Sequence, residues 1–216
     1  MQLSKKTRKE ISQNRITYRN LIHWNAYTGL MASRKRFSFF TSATDQKKLM
    51  KINTESDFKA WAGFSNRTEG TVADVLNWKI NPHFILWTIL RVELLPPGFI
   101  HELAIYFCHN FHTRLAEEGI YIDFRYPSLL KIKADWSKGK LSLGNLKHHQ
   151  RYCSHFLVEM HGSGNEKMIA AAAATHAVLN ENPREAILNL FRIINSVYPL
   201  KKENDFRLQF LKEQIL

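Results

Sequence analysis

Residues 166–180 read EKMIAAAAATHAVLN, and this stretch decides the fold. Five consecutive alanines, Ala170 to Ala174, combine the strongest helix propensity with a side chain that is only a methyl group. A helix walled by methyl groups lets a neighbouring helix approach closely. The block therefore predicts the inner strut of a compact, all-α multi-helix array.

The flanking sequence supplies start and stop signals for the helices around it. Downstream, Asn182-Pro183-Arg184-Glu185 gives an N-cap, a proline at the first helical position and the start of a capping box. The helix it opens should bury Ala186, Ile187, Leu190, Phe191, Ile194 and Val197, and end at Pro199. A last helix groups Phe206, Phe210, Leu211 and Ile215. Upstream, HGSGN at 161–165 is a break. Before it, Ser142 caps a helix reaching about Met160, with Leu146, His149, Cys153, Phe156, Leu157 and Met160 on one face. Lys138-Gly139-Lys140 reads as a turn. Tyr121 to Tyr126 reads as extended, with Pro127 opening a helix over Ser128–Ser137. A helix over Phe99–Glu118 carries a stripe of Ile100, Leu103, Ala104, Phe107, Phe111 and Leu115 and stops at Gly119. Asn81-Pro82 opens HFILWTILRVELL, apolar nearly all round and so expected to be a central helix ended by Pro96-Pro97-Gly98. Short helices are expected over Asp57–Gly63 and Thr71–Trp78, the latter capped by Thr71 with Asp74 after a break at Gly70.

The expected organisation is a helical domain over 55–216 with a less regular, basic, aromatic-bearing segment, 1–54, packed on it. Phe37 and Phe39 alternate with polar residues there, as in a short strand or an extended arm. The chain has 216 residues, 44% hydrophobic and 12% aromatic, which excludes general disorder. A net charge of +12 favours acidic partners. The two cysteines, Cys108 and Cys153, form no CxxC pair and fit reduced, buried thiols. The opening MQLSKKTRKEISQNR has no apolar run after it, so no secretory signal is expected. No apolar stretch approaches the ~20 residues needed to span a bilayer. A soluble, cytoplasmic protein with no membrane partner is the expectation.

Cys108 with His112, and His149 with Cys153, are each spaced i, i+4 and so share a face of their helix. Two such helices side by side would offer Cys2His2, a tetrahedral set suited to zinc. The competing reading, preferred here, makes them core thiols with histidines at the edge of the apolar stripe, and no metal or other cofactor is expected. His176 faces the same choice between a proton-handling role and a hydrogen-bonded core histidine, again with structure preferred. His148, His149, His155 and His161, with Lys147 and Arg151, form an ionisable face that gains positive charge below about pH 6.5 if exposed. No GxSxG, P-loop or dinucleotide fingerprint is present, and no enzyme is expected. For nucleic acid, Lys5, Lys6, Arg8, Lys9, Arg34, Lys35 and Arg36 would neutralise phosphates, with Trp24 as a stacking platform.

Several elements together resemble a known family. Trp87 to Arg91, the turn Leu94-Leu95-Pro96-Pro97, and the helix from His101 to His112 are followed by WSKGKLSL at Trp136 to Leu143. Then comes AAAAATHA at Ala170 to Ala177. Over residues 83–198 this layout is similar to the all-helical immunity proteins of bacterial polymorphic-toxin systems, the group described as Imm-5-like. The resemblance implies an all-α protein that binds and occludes a cognate toxin, an acidic toxin or effector given the charge, rather than an enzyme. It brings no set of binding residues with it. A nucleic-acid-binding protein using the basic N-terminal segment is the alternative.

Overall fold

The computed structural model describes residues 3–17, 69–77 and 82–216, and the fold is all-α. Trp24, Arg34, Lys35, Arg36, the Phe37/Phe39 alternation and the helix expected over Asp57–Gly63 lie outside the described residues. Two compact units divide the chain, Leu95–Leu200 and a second made of Gln2–Leu94 with Lys201–Leu216.

In the second unit, helix α1 (Lys5–Gln13) starts at Ser4, whose hydroxyl accepts the Thr7 N–H at 3.1 Å. The basic opening stretch is thus a capped helix, anchored by the buried Ile11. Strand β1 (Arg15–Thr17) pairs antiparallel with β2 (Glu69–Thr71), Ile16 opposite Gly70. Helix α2 (Val72–Leu76) has the expected box. Thr71 N–H donates to Asp74 Oδ2 at 2.8 Å, and Asp74 N–H returns to Thr71 Oγ1 at 3.2 Å. Helix α3 (Pro82–Ile89) ends five residues short of Leu94. The run beyond it, to Leu94, makes turns closed by Leu94 N–H to Arg91 O at 3.0 Å. Leu90 and Leu94 are buried all the same. Apolar residues there do not by themselves extend the helix, and Val92 is exposed.

The first unit holds α4 (Pro97–Glu117), α5 (Arg125–Ser137), α6 (Leu143–His161), α7 (Glu166–Val178) and α8 (Pro183–Val197). Every residue of the expected α4 stripe is buried. Gly119, at φ +78°, takes the left-handed conformation that ends the segment. Helix α5 begins two residues before Pro127. Asp123 Oδ1 accepts the Arg125 N–H at 2.9 Å, which caps the first turn, and proline is tolerated inside that turn. Asn145 N–H donates to Ser142 Oγ at 3.2 Å, so the α6 cap is as read.

Helix α7 packs against α4, α5, α6 and α8 and is the strut of this unit. Ala170, Ala171, Ala172, Ala174 and Ala177 are buried, while Ala173 is half-exposed. Asn182 caps α8 by accepting from the N–H groups of Arg184 and Glu185. The reciprocal half of that capping box does not form. Asn182 N–H donates instead to Asn180 Oδ1 at 2.8 Å, and the Glu185 carboxylate accepts from Asn180 Nδ2. Val197 is only half-buried. Beyond the last turn of α4, Glu118 accepts from Lys167 Nζ and from Tyr198 Oη, each at 2.7 Å. The Lys167 bond first, then Tyr198, holds its carboxyl below the ordinary glutamate range.

Helix α9 (Leu200–Ile215) belongs to the second unit from Lys201 onward. Phe206 is exposed, while Arg207 and Leu208 turn inward. Arg207 and Glu203, 3.6 Å apart, are buried together as an i, i+4 ion pair, which lets charged side chains occupy positions that hydropathy alone assigns to surface. Among the described residues no helix is long and apolar enough to cross a membrane.

Candidate binding surface

Two side chains at the start of α5 differ sharply from their surroundings. Phe124 is 79% exposed, and Arg125 beside it is engaged by acidic and aromatic side chains. The buried Asp123 carboxylate takes a two-pronged bond from Arg125, Nε at 2.8 Å and a terminal nitrogen at 2.7 Å. Glu159 of α6 lies 3.4 Å from the same nitrogen. The guanidinium carbon stacks 3.5 Å from the centre of the Phe156 ring and 5.9 Å from that of Phe124. Tyr152, exposed and one turn before Phe156, meets the Phe156 ring edge-on at 4.4 Å. The hydrogen bond from Arg125 holds the Asp123 carboxyl below its usual range, and Asp123 in turn raises Arg125. The product is a pre-ordered arginine framed by an exposed phenylalanine and an exposed tyrosine. Tyrosine and arginine are enriched in protein–protein hot spots and phenylalanine at interface cores, and an arginine already immobilised loses little freedom on binding.

A second polar group lies inside the unit. Lys133 is fully buried, donates to the Asn180 carbonyl at 2.6 Å, and places its ammonium 4.2 Å from the centre of the Trp136 ring. His101 meets that tryptophan edge-on at 5.1 Å, and its buried Nδ1 has no hydrogen-bond partner among the described residues. Burial brings Lys133 down to about 7, with Glu181 opposing. Burial, then the Lys133 charge, brings His101 down to about 3. The spacing Leu129, Lys133, Trp136 is i, i+4, i+7, so a lysine in an apolar helical stripe was the signal in the sequence. Phe124 left none, because apolar residues just outside a helix are as often buried as exposed.

The residues singled out for chemistry are placed as follows. Cys108 Sγ lies 3.7 Å from His112 Nε2, and that nitrogen donates to the Ala171 carbonyl at 3.1 Å. Burial lowers His112 to about 4 and raises both thiols, Cys153 to about 12, the Cys153 thiol adding to the rise at Cys108. Cys153 packs with Leu129, Leu146 and Phe156. His149 turns away from this group, its Nδ1–H donating 2.8 Å back to Asn145 O. Among the described residues no three His, Cys, Asp or Glu side chains gather as a metal ion requires.

His176 Nε2 lies 3.0 Å from Ser154 Oγ. The serine hydroxyl already donates to Gln150 O at 3.1 Å, so the histidine is the donor and the hydroxyl is not deprotonated by it. Lys5, Lys6 and Lys9 are exposed on α1, whereas Arg8 is half-buried with Nε on Leu3 O at 3.3 Å. No family model, curated protein or solved structure matches this chain.

Proposed function

We propose that this chain is a binding protein rather than an enzyme, acting in the cytoplasm as an immunity-type neutraliser that occludes a cognate bacterial toxin one-to-one. The resemblance of residues 83–198 to that family supports the reading, as does the net charge of +12, which favours an acidic toxin or effector. The single observation that carries it is the exposed Phe124 on its braced Arg125 support. Such an anchor inserts into a partner's pocket with little ordering cost. The test is co-expression with the product of the adjacent gene. The wild-type chain should protect cells and co-elute with the toxin in equal amounts, and Phe124→Ala should do neither. Full protection by Phe124→Ala would remove the observation on which the reading stands.

A second reading follows from α1, where three exposed lysines sit on a capped helix and, among the described residues, only Lys6 lies close to an acid, Glu10 at 4.0 Å. On that reading the chain binds nucleic-acid phosphates through its N-terminal segment.

A further inference from the structure

Ala173 and His176 form an outward stripe on the alanine helix α7, and Asn180 continues it past the end of the helix. At Asn180 the stripe opens into a recess of about 420 Å³, walled by α6 on one side and by the start of α8 on the other. Small-molecule sites typically enclose about 300–1,000 Å³.

Four charged side chains line the recess, two of each sign. Lys147 and Arg151 come from α6, Glu181 from the turn after α7, and Glu185 from α8. Their charges sum to zero, yet they are not neutralised alike. Lys147 and Glu181 lie 3.0 Å apart and satisfy each other. Arg151 is exposed and, among the described residues, makes no ion pair or hydrogen bond. Glu185 accepts from the Asn180 side-chain amide at 3.2 Å. That donor is neutral, so it positions the carboxylate without cancelling its charge. Asn180 is itself fixed, its Oδ1 accepting the Asn182 N–H at 2.8 Å and its carbonyl accepting from Lys133 at 2.6 Å. The fully buried Lys133 does not line the recess. One uncompensated cation and one uncompensated anion therefore stand on opposite walls.

Such a recess selects by charge pattern and not by net charge. A ligand with a single charge meets one attraction and one repulsion. A ligand with a carboxylate at one end and an ammonium at the other is attracted at both. The Arg151 guanidinium can hold a carboxylate with two parallel N–H bonds, and the Glu185 carboxylate accepts from an ammonium. Gln150, half-buried on α6, lines the same recess, and among the described residues its side-chain amide makes no hydrogen bond. It offers both a donor and an acceptor to the polar part of a ligand. Because the Glu185 carboxylate is already held, little ordering remains for it on binding.

We propose that this recess binds a small zwitterion, a molecule with one carboxylate and one ammonium, such as a free amino acid or a dipeptide. The site is separate from the Phe124 surface and does not rest on the toxin-binding reading. The test is titration of the full-length protein, followed by backbone amide shifts, with a panel of free amino acids bearing uncharged side chains and with dipeptides of the same residues. The wild-type protein should bind at least one of the two sets saturably, and which set binds tells the two sources apart. Acetylating the amine or amidating the carboxylate of the bound compound should each weaken it at least about tenfold. Arg151→Gln and Glu185→Gln should each do the same, while Phe124→Ala should bind as wild type does. Both site variants should melt with the wild type, since Arg151 is exposed and a glutamine at 185 still accepts from Asn180. No saturable binding in either set, equal binding of the blocked compounds, or affinity retained in Arg151→Gln and Glu185→Gln would overturn the proposal. The blocked compounds test the wild-type protein directly, and Phe124→Ala, carried through both experiments, separates loss of toxin protection from loss of zwitterion binding.

Discussion

The Lys133 ammonium donates to the carbonyl of Asn180, a residue 47 positions further along the chain, at 2.6 Å. The bond ties α5 to the turn between α7 and α8, and it does so with a fully buried amine. In the unfolded chain this amine titrates near 10.4, and in the fold near 7. Between those values the unfolded chain binds one proton more than the folded one. Lys133 therefore makes the fold gain stability as pH rises from about 7 towards 10, by at most about 1.4 kcal/mol per pH unit. Lys133→Met should flatten that rise. Urea unfolding of both proteins at several pH values gives the difference directly, and a parallel pair of curves would contradict the assignment.

The alanine wall makes a position-resolved prediction. Leu at Ala172 or Ala174, both with no exposed surface, should overpack α7 against its neighbours at a cost of about 1–3 kcal/mol. Leu at Ala173 should be tolerated within about 0.5 kcal/mol. Thermal melts of the three variants are sufficient, and equal losses at all three would mean the outward stripe is misassigned.

Asp123 should be more costly to change than Phe124 next to it. Asp123→Asn removes the charge that fixes Arg125, with an expected loss of about 1–3 kcal/mol. Its folded pKa lies below the unfolded value, so its contribution is complete above about pH 4 and disappears as pH falls through the folded value. The acid unfolding limb of Asp123→Asn should accordingly be shallower than that of wild type. Phe124→Ala should leave stability unchanged, since the ring buries little.

If α1 binds nucleic acid, Lys5, Lys6 and Lys9 can neutralise at most three phosphates, which gives a log–log salt slope of roughly −2.7 on duplex DNA. Replacing all three with Glu should abolish that contribution. A slope unchanged in the triple variant would place the affinity elsewhere on the chain.

The helices were legible wherever a cap and an apolar stripe agreed, as at Ser142 with Leu146, Cys153 and Phe156, or at Asn182 with Ile187, Leu190 and Phe191. Legibility failed where one signal stood without the other. Leu90 and Leu94 are apolar and buried without being helical, because burial needs only a covered side chain. Arg207 and Lys133 are polar and buried, because a partner nearby in space, Glu203 in one case and the Asn180 carbonyl in the other, offsets the loss of water. The binding surfaces were less legible still. Phe124 and Tyr152 come from different helices, and only their shared neighbour Arg125 joins them. The Cys108, His112, His149 and Cys153 set had suitable spacing, but His149 bonds back to its own helix, a choice that spacing alone does not settle.

The two cysteines have a practical corollary. Both are fully buried, and burial keeps both thiols protonated at neutral pH, so in the native protein neither competes for a thiol-directed reagent. The native surface is thus chemically silent towards maleimides. A single substitution such as Tyr152→Cys or Arg151→Cys would introduce the sole reactive handle, and a dye or photo-crosslinker attached there would report occupancy of one surface at a time. The native thiols can stay in place, and with them the packing around Cys108 and Cys153.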